Sequence, residues 1–284
     1  MKRLLVCTDL TESSDMIVKA AEELRARNNC QTDFLYVSEL PFHITDVLNE
    51  NLKKSISEIF FRDLPKTLEA KLLDQLKRCQ AIGKAIIRKG RIYSEILNLA
   101  NTGNYDLIVM GHGRTSMVLQ LIGSNAYKVI SSCPIPLLIM KTEPKWDKVV
   151  GLVDDSPEME SIIIGTYDFA RNFRCASSSL LSVWFDIPEP FGDSSKGFEL
   201  EQKIKQEAAF YADEAKPSMV RVEPTRELQV AYRINELLKD EKAGTIVLKR
   251  SSGSRAKLYI GSTTKRLTEI FDGNLLILPA TQKN

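Results

Sequence analysis

Two hydrophobic patterns alternate along the chain. One is a short apolar run bounded by glycine, proline or charged residues, the pattern of a strand buried on both faces. Such runs lie at Lys2–Thr8, Thr32–Ser38, Lys84–Lys89, Leu107–Met110 and Leu137–Met140. The other is an apolar residue every three or four positions, the pattern of a helix with one buried face. It occurs at Ile17, Ala20, Ala21 and Leu24, and again at Leu52, Ile56, Ile59 and Phe60, where Pro65 sets off a second piece ending near Cys79. It recurs at Ile96, Leu99 and Ala100 within a helix over Glu95–Ala100, then at Ala126, Val129, Ile130 and Cys133. Ser13 or Ser14 is placed to cap the first helix, and Pro134 and Pro136 stop the last one. Strands alternating with helices predict an α/β fold built on a doubly wound parallel sheet.

The alternation then begins again. Strands are expected at Val149–Val153, Ser179–Phe185, Met219–Val222, Thr245–Leu248 and Leu275–Leu278. Ser156-Pro157-Glu158 reads as a helix start, followed by Met159, Ile162, Ile163, Phe169 and Ala170 on one face. Further helices carry Leu200, Ile204, Ala208 and Tyr211, then Val230, Ala231, Ile234 and Leu238, and a last one opens at Gly261-Ser262. Asp9, after the first strand, has its counterpart 145 residues on at Asp154, and Gly123 has its counterpart 138 residues on at Gly261. Ile-Gly-Ser recurs at 122–124 and 260–262, and PLLIM at 136–140 faces NLLIL at 274–278. Matched order, landmarks and length point to a tandem repeat rather than chance likeness. The expected domains are 1–143 and 146–284, joined by a short charged linker around Pro144.

Composition narrows the function classes. A net charge of +2 gives no electrostatic pull toward nucleic acid. No apolar run is long enough to span a membrane, and Asp9 and Glu12 cut short the only apolar stretch near the start, so no signal peptide is expected. Five scattered cysteines without a CxxC pair suggest reduced thiols and a cytoplasmic setting. Two histidines, His43 and His112, exclude a histidine-rich metal centre.

Candidate chemistry gathers after the fourth strand. Gly111 and Gly113 lie between that strand and a helix that opens at Gly123-Ser124. Glycine lets backbone approach a ligand closely, and a helix start offers free N–H groups to an anion such as phosphate. The same residues also serve a plain turn and cap. In doubly wound sheets, ligands sit beyond the carboxyl ends of the strands where strand order reverses. Asp9 and Gly111 both lie at such ends, and if the first and fourth strands are neighbours across that reversal, a carboxylate would face the glycine loop across one crevice.

These residues resemble the signature of the universal stress protein family. Its ATP-binding members carry an aspartate after the first strand and a glycine pattern: glycine, two residues, glycine, nine residues, then Gly-Ser or Gly-Thr. Asp9 matches, as do Gly113, the nine-residue interval, Gly123 and Ser124, and IVMG at 108–111 resembles the family's fourth strand. One position departs, because only His112 separates Gly111 from Gly113. The resemblance implies two Rossmann-like, five-stranded sheets of order 3-2-1-4-5, paired as a pseudo-dimer through the last strand of each. Further self-association into a homodimer is compatible with it. It implies a cytoplasmic stress-response module that takes ATP or another adenine nucleotide, with or without magnesium, and neither nucleic acid nor membrane. Asp9 and the backbone around Val37 would hold the adenosine, Met110 and Gly111 would line the ribose side, and Gly113, Arg114, Gly123, Ser124 and Asn125 would hold the phosphates. Catalysis is not expected beyond slow ATP hydrolysis or self-phosphorylation, since the chain has no GxxxxGK[ST] loop. Some members lack the glycine signature and bind no ATP, so action through protein partners alone is the alternative. In the second half, alignment on Gly261 sets Lys249 at the place of Gly111 and Ser251 at that of Gly113. That half is expected to have lost the usual ATP site, and either binds something else or is a structural partner for the first.

Overall fold

The computed structural model describes residues 1–11, 14–39, 64–80, 82–112, 124–186, 195–211, 219–226, 230–250 and 262–280. They form two compact units, Met1–Gly111 and His112–Asn284.

The first unit runs β1 (Arg3–Cys7), α1 (Asp15–Asn28), β2 (Gln31–Ser38), α2 (Leu64–Arg78), β3 (Ala85–Lys89), α3 (Ile92–Ala100) and β4 (Leu107–Gly111). Its strands stand in the order 3-2-1-4 and are all parallel. The central strands are buried along their length: Leu4, Leu5, Val6, Ile108 and Val109 have no exposed surface. Each such side chain contributes about 1.5–3 kcal/mol relative to exposure. Helix α1 turns Ile17, Ala20, Ala21 and Leu24 inward, as its spacing requires. It ends at Asn29 in the left-handed conformation (φ 50°), whose N–H caps the Arg25 carbonyl. At the opposite end of the sheet from the strand tips, Asp33 is buried and accepts hydrogen bonds from Arg3, Tyr105 and the Lys84 N–H. Pro65 sits in the first turn of α2, where its missing N–H breaks no helical bond. The helix expected over Leu52–Phe60 lies outside the described residues.

The second unit runs α4 (Ser124–Ser132), β5 (Leu137–Met140), β6 (Lys148–Leu152), α5 (Met159–Phe173), β7 (Ser177–Phe185), α6 (Lys196–Phe210), β8 (Met219–Thr225), α7 (Val230–Asp240), β9 (Thr245–Lys249), α8 (Ser262–Ile270) and β10 (Asn274–Leu278). The strands β8-β7-β6-β9-β10 are parallel and reproduce the order 3-2-1-4-5. Strand β5 then pairs antiparallel with β10, with Leu138 opposite Leu276. The last strand of each repeat is therefore paired, which removes two apolar edges. Strand β6 starts 145 residues after β1, and β9 and α8 start 138 residues after β4 and α4. Even the helix stop recurs: Arg174, 145 residues after Asn29, is also left-handed (φ 49°). Ser156-Pro157 forms a turn just before α5 rather than its first helical residues, with the Ser156 hydroxyl accepting from the Glu158 N–H. Trp146 packs edge-on against Phe173, which stacks on Phe169.

Candidate functional site

In the first unit the carboxyl ends of three parallel strands bring together four of the expected residues. Register pairs Cys7 with Met110 and Cys7 with Leu35. Asp9 thus follows the tip of β1, Gly111 the tip of β4, and Val37 lies toward the tip of β2. Val37 and Met110 are buried, whereas Asp9 is exposed.

The Asp9 carboxylate is held by its own turn. Its Oδ1 accepts from the Thr11 N–H at 3.1 Å, the Thr11 hydroxyl at 2.7 Å and the Ser14 hydroxyl at 2.5 Å. Partial burial works against ionisation, but the hydrogen bonds from Ser14 and Thr11 outweigh it, and the pKa falls below the ordinary aspartate value. Ser14 occupies the position before α1, yet it does not cap the helix by its side chain. The helix forgoes that cap and the hydroxyl orients Asp9 instead. The Thr8 hydroxyl completes the turn, donating to Ser14 Oγ at 3.0 Å and accepting from the Leu10 N–H at 3.1 Å. Leu10 itself is left-handed, with φ 59°. A leucine there is strained by about 1–2 kcal/mol, and such strain is found where surrounding contacts over-determine a functional turn. Nothing in the sequence flagged Leu10, Thr8 or Thr11, because their roles come from backbone conformation rather than residue type.

Gly111 has no positive φ to explain it. Among the described residues a Cβ there would meet the Ile17 side chain, with Cδ1 at 3.1 Å and Cγ1 at 3.9 Å. The main-chain path alone does not demand glycine at this strand tip. Of the residues expected around phosphate, Gly113, Arg114 and Gly123 lie outside the described residues. Ser124 and Asn125 open α4 in the second unit, as expected from the sequence.

Residues 1–141 match the model of the universal stress protein family. The first repeat belongs to the universal stress protein family. A universal stress protein from Archaeoglobus fulgidus has the same fold over 98% of this chain and 98% of its own, with a TM-score of 0.70 at 17% identity. A functionally unknown protein from Pseudomonas aeruginosa PAO1 matches 98% of this chain and 92% of its own, with a TM-score of 0.68 at 15% identity. No curated protein matches the sequence. The family model stops where the first repeat stops, while the fold likeness extends over both repeats.

The second repeat has a crevice at the matching strand tips. It is a cavity of about 340 Å³. Asp154, Val183 and Leu248 line it at the places that Asp9, Val37 and Met110 hold in the first repeat. Where Gly111 stands, the cavity has Lys249, buried at 8% exposure. The turn after Asp154 is also different, because Ser156 and Met159 replace Thr11 and Ser14. Among the described residues no helix is long and apolar enough to cross a membrane.

Proposed function

We propose that the chain is a stress-response module whose N-terminal half binds an adenine nucleotide at the tips of β1, β2 and β4. The observation that carries this reading is the pairing of a hydroxyl-held, ionised Asp9 with a glycine at 111 that the backbone conformation does not require. A carboxylate of lowered pKa accepts hydrogen bonds from ribose hydroxyls or base amino groups. A glycine at the neighbouring tip leaves the backbone open to close approach by a ligand. Gly113, Arg114 and the Gly123–Asn125 segment are assigned to the phosphates, with Arg114 supplying a charge-assisted hydrogen bond. The bound species is ATP, ADP or AMP, with or without magnesium, and the protein acts in the cytoplasm and catalyses at most slow ATP hydrolysis or self-phosphorylation. Residues 1–143 act as the nucleotide domain, and residues 146–284 as the second domain.

A second reading is favoured by the single residue between Gly111 and Gly113, one fewer than in the family pattern. In that reading the protein binds no nucleotide and acts through protein partners. Mass spectrometry of small molecules released from denatured, freshly purified protein separates the two. About one adenine nucleotide per chain, together with ATP binding that Gly113→Arg abolishes, supports the first reading. No released nucleotide and no heat on ATP titration support the second.

A further inference from the structure

The crevice of the second repeat has lost the features that suit a phosphate chain and has gained others. Lys249 projects a four-carbon stem and an ammonium from the strand tip where Gly111 leaves only backbone in the first repeat. The same cavity holds two carboxylates, Asp154 and Glu158. Among the described lining residues a polyanion would meet one cation and two like charges. A simple cation would meet Lys249 buried at the tip of β9. One part of the wall is apolar, with Val183 from β7, Ile234 from α7 and Leu248 from β9, and another carries the hydroxyl residues Ser156, Ser262, Thr263 and Thr264. At about 340 Å³ the cavity is at the small end of ligand pockets, which span roughly 300–1,000 Å³.

We propose that this cavity is a separate binding site for a small zwitterion, an α-amino acid with a large apolar side chain. The ligand carboxylate pairs with the Lys249 ammonium and accepts hydrogen bonds from the hydroxyls of Thr263 and Thr264, which also line the cavity. The ligand ammonium faces Asp154 and Glu158. Its apolar side chain covers Val183 and Ile234. Burial lowers the pKa of Lys249, and the nearby Glu158 and Glu160 oppose that fall. A bound carboxylate adds to their effect and favours the charged amine. The site does not rest on the nucleotide reading of the first repeat, because all its residues lie in the second unit.

Calorimetric titration of the full chain with L-phenylalanine and L-leucine tests the proposal. One saturable site is expected for at least one of them. Two analogues of phenylalanine, 3-phenylpropionate without the amine and phenethylamine without the carboxylate, should each bind roughly tenfold more weakly or worse. Lys249→Met should weaken the amino acid by a similar factor and leave ATP binding in the first repeat unchanged. Val183→Trp fills the cavity without altering a charged residue, and should also remove amino-acid binding. The comparison of analogues on the wild-type chain stands whether or not either variant folds. No heat from either amino acid at about 10 mM overturns the proposal. So does 3-phenylpropionate binding as tightly as phenylalanine, or a second equivalent of ATP that Val183→Trp displaces.

Discussion

Replacing Gly111 with alanine separates what the fold needs from what a ligand needs. The new Cβ would stand 3.1 Å from Cδ1 of Ile17, the far end of a flexible side chain. Moving that methyl off its preferred rotamer costs about 0.5–1.5 kcal/mol. Alanine also narrows the unfolded ensemble at a position whose φ it can adopt, which contributes about 0.4–1 kcal/mol in the opposite direction. The two nearly cancel, so the melting temperature should stay within about 5 °C of wild type. A ligand packed on the strand tip has no such freedom. Overpacking by one methyl there costs about 1–3 kcal/mol, a loss in affinity of roughly 5- to 150-fold. Gly111→Lys, which installs the residue carried by the second repeat, should abolish nucleotide binding. Calorimetric titration with ATP, paired with a thermal melt of each variant, reads both quantities. Wild-type ATP affinity in Gly111→Ala would refute the assignment of the strand tip to the nucleotide. A melt lowered far beyond that margin would show that glycine is there for the fold.

Three further outcomes follow from the geometry. Asp33→Ala strands the Arg3 guanidinium, the Tyr105 hydroxyl and the Lys84 N–H around a carboxylate site whose side chain is 2% exposed. Because Arg3 keeps 29% of its side chain exposed, the loss should fall at the lower end of the buried-pair range, about 3 kcal/mol, and an unshifted urea transition by circular dichroism would contradict it. Burial pulls the Lys141 amine down from 10.5 to about 8, with Asp272 opposing. The folded value is the depressed one, so this contribution to stability is fully present above pH 10.5 and is lost as pH falls through about 8. Wild type should therefore gain stability relative to Lys141→Met between those values, and parallel pH profiles of the two would be the contrary result. Burial raises the thiols of Cys79 to about 12 and Cys133 to about 11, while Cys175 is half-buried. Iodoacetamide near neutral pH should alkylate Cys175 first, and peptide mapping that finds Cys79 labelled as fast would count against that burial.

Much of the fold could be read from periodicity, and the reason is local. Runs such as Leu107–Met110 and Leu137–Met140 are too short for helices and too apolar for loops, and each is a buried strand. Spacing at Ile17, Ala20, Ala21 and Leu24 marked the inner face of α1. What could not be read depends on contacts distant in sequence or on backbone conformation. Asp33 sits in the middle of an apolar strand and makes sense only when Arg3, Lys84 and Tyr105 arrive from three other segments. Ser14 has the residue type and position of a helix cap, yet Asp9 takes its hydroxyl. Asp9 and Gly111 were visible because strand tips are predictable. The left-handed Leu10 between Asp9 and Thr11 was not. Lys249 stood out as a departure from glycine, but its burial and the cavity around it required the third dimension.

The antiparallel pairing of β5 with β10 has a consequence for inheritance. Both strands belong to one polypeptide, so their association does not weaken on dilution as that of separate subunits would. In a two-fold homodimer the interface is the same patch twice, and any substitution appears on both sides at once. Here each side can change alone, and it has. The Asn274 side chain accepts from the Lys141 N–H at 2.9 Å and the Thr142 N–H at 3.2 Å, whereas its counterpart in the first repeat is Pro136, which has no amide to offer. A mutation in one crevice is likewise never copied into the other. A single polypeptide thus lets the two strand tips be selected separately, one with glycine at 111 and its counterpart with lysine at 249.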